Sequence, residues 1–133
     1  MTTDKKVSHL GRLGPATKNS IAGLIAAYQN EMAFKQEVFL LIVLTPVALL
    51  ISEGFVEFSL LMLAILGILI AELLNSGIEA VLDRVGLERH ELSGRTKDLG
   101  SAAVFVAICY FLDYRLIELL SVTDKKIKLY FVP

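Results

Sequence analysis

Three stretches free of lysine and arginine, residues 38–51, 55–71 and 99–112, limit what this 133-residue chain can fold into. Only the middle one holds a carboxylate, Glu57. None carries the polar stripe, one face in every 3.6 residues, that a helix of a water-soluble bundle needs. A chain this short cannot wrap three such helices in protein of its own. The first and third runs, at 14 residues, make about 21 Å of helix. A hydrocarbon core of about 30 Å takes roughly 20 helical residues. Buried helices of a soluble protein are the plain alternative, but the all-round apolarity favours membrane spans that continue through their polar flanks. The expected architecture is therefore an all-α membrane protein, one domain over residues 1–133. Its transmembrane helices fall at about 33–51, 55–83 and 92–120, with a tail at 121–133. Ser52-Glu53-Gly54 alone separates the first two, a tight turn between antiparallel neighbours.

Before the first span, residues 16–30 read as an amphipathic surface helix. Ile21, Leu24, Ile25 and Tyr28 recur at i, i+3, i+4 and i+7, with Lys18, Asn19, Gln29 and Asn30 elsewhere. Such a helix suits the bilayer surface and equally a face of its own bundle. Composition agrees with insertion: hydrophobic residues are 55% of the chain, against about 45–50% in soluble domains. A net charge of −1 offers no basic face for nucleic acid. The single cysteine, Cys109, lies in an apolar run and reads as a small hydrophobe. The polar N-terminus has no apolar core of a signal peptide.

Basic residues set the orientation. Lys5, Lys6, Arg12, Lys18 and Lys35 precede the first span, and Arg84, Arg89, Arg95 and Lys97 lie between the second and third. The 52–54 turn has none. The N-terminus and the 84–97 region are thus expected in the cytoplasm and the short turn outside. The tail, with Lys125, Lys126 and Lys128, either overrides the rule or marks a third helix that does not fully cross.

That topology brings three polar flanks to one depth. The first helix begins with Glu31, Lys35, Gln36 and Glu37. The second ends with Glu72, Asn75, Ser76, Glu79 and Asp83. The third begins with Lys97, Asp98 and Ser101. Glu72, Asn75, Glu79 and Asp83, at i, i+3, i+7 and i+11, form one stripe. Its three carboxylates call for a cation: Lys97, an arginine or a metal. Asp83 reads equally well as the solvated end of a helix, but Glu72, between Ala71 and Leu73-Leu74, does not. An ionisable residue at that depth is a functional candidate, and a poorly solvated carboxylate is a good proton acceptor. Oxygen ligands such as Glu31, Glu79 and Asn75 suit Mg²⁺ rather than zinc. Mg²⁺, a lysine and a carboxylate base are the components of phosphoryl transfer. No P-loop, dinucleotide-binding or protein-kinase glycine motif is present.

The same flanks resemble the prokaryotic integral-membrane diacylglycerol kinase family. The matching strings are Asn30-Glu31-Met32-Ala33-Phe34-Lys35-Gln36-Glu37, the E-x-x-N-S-x-x-E-x-x-x-D-R pattern from Glu72 to Arg84, and the stretch from His90 to Ala103 with Lys97-Asp98. The resemblance covers residues 12–112 and implies a homotrimer in the bacterial inner membrane. Each protomer would have a surface helix, three transmembrane helices and active sites shared at the cytoplasmic interface. The implied reaction is ATP-dependent phosphorylation of 1,2-diacylglycerol to phosphatidic acid, with Mg²⁺ as cofactor and no nucleic-acid partner.

Carried over, Glu72 is the general base and Asn75 lies between base and metal. Glu31 and Glu79 are the Mg-ATP carboxylates. Lys97 holds the phosphates, with Asp98, Glu88 and His90 near the nucleotide. Gln36, Glu37 and Ser101 are lipid-side contacts. Arg12 touches both substrates. Asn19 stands where relatives tend to carry an aromatic that covers the nucleotide. Asp113, Arg115 and Glu118 depart from an apolar third span, which is expected to leave the hydrocarbon near Leu112. An undecaprenol kinase of the same fold is the nearest alternative. A small oligomeric channel or carrier, with Glu72 as a relay, explains Glu72 but not Lys97-Asp98.

Overall fold

The computed structural model describes residues 9–86, 88 and 90–131, with side chains placed at 13–86, 88 and 90–116. Four helices account for nearly all of it: α1 His9–Asn30, α2 Met32–Ile51, α3 Phe55–Val85 and α4 Glu91–Phe131. No strand occurs among the described residues. α2, α3 and the Glu91–Leu116 part of α4 are each long and apolar enough to cross a membrane. In hydrocarbon the helix satisfies every backbone donor and acceptor within one segment, which is why such runs take this form.

The boundaries have local causes. α2 stops at Ile51, where the Ser52 hydroxyl and backbone N–H both donate to the Ala48 carbonyl, at 2.6 and 3.0 Å. α3 starts after Gly54, and the Glu57 carboxylate reaches back to accept from the Glu53 N–H, as a capping residue does. Residues 52–54 are thus the expected turn. Pro46 inside α2 withdraws a backbone donor. Beside it the Thr45 hydroxyl donates to the Leu41 carbonyl at 2.6 Å.

Two elements extend beyond their expected limits. α1 begins at His9 rather than residue 16 and contains Pro15. Proline favours the first helical turn, yet the helix runs on towards the N-terminus. α4 continues past Leu112 and through the region expected as a tail, to Phe131. A helix need not end where it leaves hydrocarbon.

α3 is the central element, packing along α4 and α2, while α1 touches α2. Of the nine buried residues among those described, five, Leu61, Ala64, Ile65, Leu69 and Glu72, belong to α3. Without a hydrophobic drive between helices in lipid, association depends on close van der Waals fit, which small residues permit; Ala48 and Ala64 are buried accordingly. A compact plug of Ala27, Phe34 and Leu69 joins α1, α2 and α3, with Val38, Leu41 and Leu73 against it. Much of the remaining apolar surface is open on the single chain, as at Phe39, Ile42, Leu63 and Phe105. That is the surface a bilayer or further protein covers.

Ala64 is only 2% exposed, so Ala64→Leu should overpack the bundle and cost about 1–3 kcal/mol. The check is the shift of the dodecyl-sulfate unfolding curve in mixed micelles. A variant as stable as the parent would mean that no helix meets α3 there.

Candidate active site

The 52–54 turn sets a common origin for depths along α2 and α3. At 1.5 Å per residue, Glu37 lies about 21 Å and Glu31 about 30 Å from it along α2. Counted from Phe55 along α3, Glu72 lies about 26 Å, Asn75 about 30 Å and Glu79 about 36 Å away. These distances are comparable with the thickness of a hydrocarbon core, about 30 Å.

Glu72 is 6% exposed, the only charged residue buried among those described. The charges of Glu31 and Glu79 act on it, and its own acts on Glu37. Glu31 is held by a break in the backbone. It stands between α1 and α2 with extended geometry (φ −104°, ψ 117°), and its side chain makes no capping bond. The break stays closed because the Glu31 N–H donates to Ala27 O at 2.8 Å and the Lys35 ammonium donates to Gln29 O at 3.1 Å. Glu31 also lines a groove of about 430 Å³ between α1 and α3, with Asn30, Leu73, Ser76 and Gly77. Three buried oxygens at this level have no hydrogen-bond partner: Glu37 Oε2, Asn75 Oδ1 and Ser76 Oγ. Buried polar atoms normally find partners, so this concentration marks a place prepared for something else. Below it Glu37 heads a mostly apolar groove of about 240 Å³ with Leu40, Leu44, Ile65, Ile68, Ile108, Phe111 and Leu112.

A second group gathers where α3 ends and α4 begins. Asp83, Gly86, Glu88, His90, Glu91, Ser93, Gly94 and Lys97 line a groove of about 480 Å³. Lys97 Nζ donates to Asp83 Oδ1 at 2.7 Å. Both side chains are substantially exposed, and exposed pairs of this kind are easily exchanged for another partner. The charge of Glu79 also reaches Lys97, which links this group to the carboxylates around Glu72. His90 has a local task as well: its Nδ1 accepts from the Leu92 N–H at 3.2 Å, and its carbonyl accepts from Gly94 N–H at 3.0 Å. It is therefore the N-cap of α4. With Nδ1 accepting, the neutral ring carries its proton on Nε2, a free donor.

The expected residues thus separate into these two linked groups and a remainder. Glu31, Glu37, Glu72, Asn75 and Glu79 form the first group, Glu88, His90 and Lys97 the second. Asn19, Gln36, Asp98 and Ser101 are exposed on the single chain. The Arg12 side chain and the loop residue Arg89 lie outside the described residues. No set of three or more His, Cys, Asp or Glu side chains gathers as a metal site among the described residues. Sequence reasoning placed Asp83 only in the stripe that calls for a cation and gave Ser76 no role, although both fall in the polar flank of α3. It also overlooked Gly100, whose place within a helix was the available signal.

The family profile for prokaryotic diacylglycerol kinase matches residues 18–117. The chain belongs to that family. Among its relatives, the diacylglycerol kinase of Pseudomonas aeruginosa is 52% identical over 99 residues, 74% of this chain and 80% of that one. That of Haemophilus influenzae is 47% identical over 104 residues, 78% of this chain and 88% of its own. That of Escherichia coli K12 is 45% identical over 97 residues, 73% and 80%. This chain is accordingly an enzyme of the diacylglycerol kinase family, with three helices suited to a membrane. Every site residue named above except Arg12 falls inside the matched span.

His90→Ala removes the cap acceptor and should weaken the start of α4 by about 1 kcal/mol, read as faster amide exchange at residues 91–95. His90→Asn, which can cap, should restore protection. A nucleotide contact would show separately, as a raised KM for ATP in both variants.

Proposed function

We propose that this chain transfers the γ-phosphate of ATP to the free hydroxyl of 1,2-diacylglycerol at the cytoplasmic face of the bacterial inner membrane. The product is phosphatidic acid. The observation that carries the reading is Glu72, a carboxylate buried at the edge of the hydrocarbon beside two further carboxylates. Such a group is expensive to hold and has the chemistry of a base for a lipid hydroxyl. The relatives are named for the same activity.

The lipid would enter from the bilayer along the apolar groove headed by Glu37, with its hydroxyl at the level of Glu72. Glu72 takes the hydroxyl proton as the oxygen attacks the γ-phosphorus. The new O–P bond forms while the bond to the β-phosphate oxygen breaks, and ADP leaves. Asn75, one turn from Glu72 and from Glu79, orients the reacting groups. The polyphosphate would lie in the groove at the α3–α4 end, where Lys97 exchanges Asp83 for phosphate oxygens and the His90 Nε2–H donates. The first turn of α4 adds its positive dipole end.

Mg²⁺ fits the donors at this place. Glu31 and Glu79 supply oxygen only, and Mg²⁺ characteristically takes one or two carboxylates together with substrate phosphates. A site with fewer than three protein ligands is what such a metal needs. Bound there, it would neutralise phosphate charge during transfer. The shared sites of a homotrimer belong to the same reading, supported by Asp98 and Ser101 standing exposed on the single chain with apolar surface around them.

The direct test is transfer of labelled phosphate from ATP to diacylglycerol in mixed micelles containing Mg²⁺. The parent should form phosphatidic acid, and Glu72→Gln at least about 10²-fold less, the range expected when a general base is lost. Chelation with EDTA should abolish the parent reaction and added Mg²⁺ restore it. No product from a folded parent would sink the diacylglycerol reading and send undecaprenol to the same assay. Orientation is checked on intact spheroplasts: a membrane-impermeant thiol reagent should label Glu53→Cys, and should reach Glu88→Cys only after permeabilisation. The Cys109→Ala background is used for both.

A further inference from the structure

Gly100 lies inside α4, and it is buried. Glycine destabilises a helix interior relative to alanine, so a buried one there calls for a steric reason. Of the described glycines, Gly100 is the only one at which an added Cβ would meet any atom within 4 Å. All three nearest atoms belong to Asn75. The carboxamide Oδ1 would fall inside any allowed contact distance, with Cγ at 3.3 Å and Cα at 3.7 Å. The Cα separation is ordinary contact, so the α3 and α4 backbones could accept a methyl group at this spacing. The Asn75 carboxamide could not. Its Oδ1 is buried and without a hydrogen-bond partner, so the packing against Gly100, rather than a hydrogen bond, holds that end of the side chain.

We propose that Gly100 is a positioning residue for the transfer reaction: the missing side chain on α4 forms the seat that holds the Asn75 carboxamide in line with Glu72 and Glu79 on α3. The assignment rests on the kinase reading above. α4 carries the means to keep the seat in register. Lys97, one turn before Gly100 and on the same face, is tied to Asp83 of α3 at 2.7 Å. The ion pair and the glycine seat thus fasten the same two helices on either side of the site. A methyl group at position 100 turns the carboxamide away about its own χ1 and leaves the helices where they are. The cost should fall on the rate rather than on binding or folding.

The test is a double-mutant cycle read beside a spectroscopic signal. Gly100→Ala should lower kcat by about 10- to 100-fold, the range expected for a misplacement near 1 Å, with both KM values little changed. Asn75→Ala should lose at least as much. Gly100→Ala added to Asn75→Ala should cost nothing further, because the clash has gone. The chain has asparagine only at positions 19, 30 and 75, so ¹⁵N-asparagine labelling resolves the Asn75 side-chain amide, assigned by its loss in Asn75→Ala. That signal should move in Gly100→Ala. An unmoved signal overturns the proposal whether or not the chain phosphorylates diacylglycerol. Equal losses from Gly100→Ala in both backgrounds overturn it too, since they would mark a packing defect independent of Asn75. A moved signal in a parent that makes no phosphatidic acid removes the kinase reading, and the positioning role falls with it.

Discussion

Hydrocarbon provides no partner for a backbone N–H or C=O, and the rest of this structure follows from that. Each apolar run must be a helix so that its backbone is satisfied within itself. The interruptions are pushed to the ends, at 52–54, at Glu31 and where α3 ends at Val85. Since the helices gain nothing from leaving lipid for one another in hydrophobic terms, fit decides which faces meet. That is why few residues are buried, Ala48 and Ala64 on facing spans among them, and why the close approach of α4 to α3 occurs at a glycine.

The same medium makes the placement of Glu72 an energetic statement. A carboxylate that is 6% exposed, with Glu31 and Glu79 acting on it, is set among like charges where solvent screening is weak. The fold holds it there by means that do not involve Glu72 itself. The Ala27–Phe34–Leu69 plug pins three helices one turn away, and the extended residue at position 31 turns the chain so that its carboxylate comes to the same depth. Local rules are broken at the place where chemistry is expected, and packing elsewhere offsets the cost.

The two grooves differ in character. One is apolar and headed by Glu37. The other lies where α3 ends and α4 begins, and Asp83, Glu88, His90 and Lys97 are among its lining residues. Glu72, Asn75 and Glu79 lie along the helix that borders both. α3 is about 46 Å long, longer than the hydrocarbon is thick, so one rigid element carries groups from the lipid region to water.

Much of this was legible in the sequence, since hydrophobic run length, turn residues and helical periodicity are local properties. The three apolar helices, the 52–54 turn and the stripe from Glu72 to Asp83 all follow from counting along the chain. Helix ends were less legible. The first helix was expected from residue 16 and the third span to exit near Leu112, yet α1 begins at His9 and α4 runs to Phe131, because exit from the membrane and helix termination are separate events. Contacts between helices were far less legible: the sequence offers Lys97 only as one of several cations for the stripe. That Lys97 takes Asp83 as its partner, that Ser76 and Glu37 bury unpaired oxygens and that Gly100 meets Asn75 each depend on the rotation and spacing of one helix against another. Periodicity states which residues share a face. Only packing decides what that face touches, because the few ångströms that separate a contact from a gap are set by the side chains of both helices together.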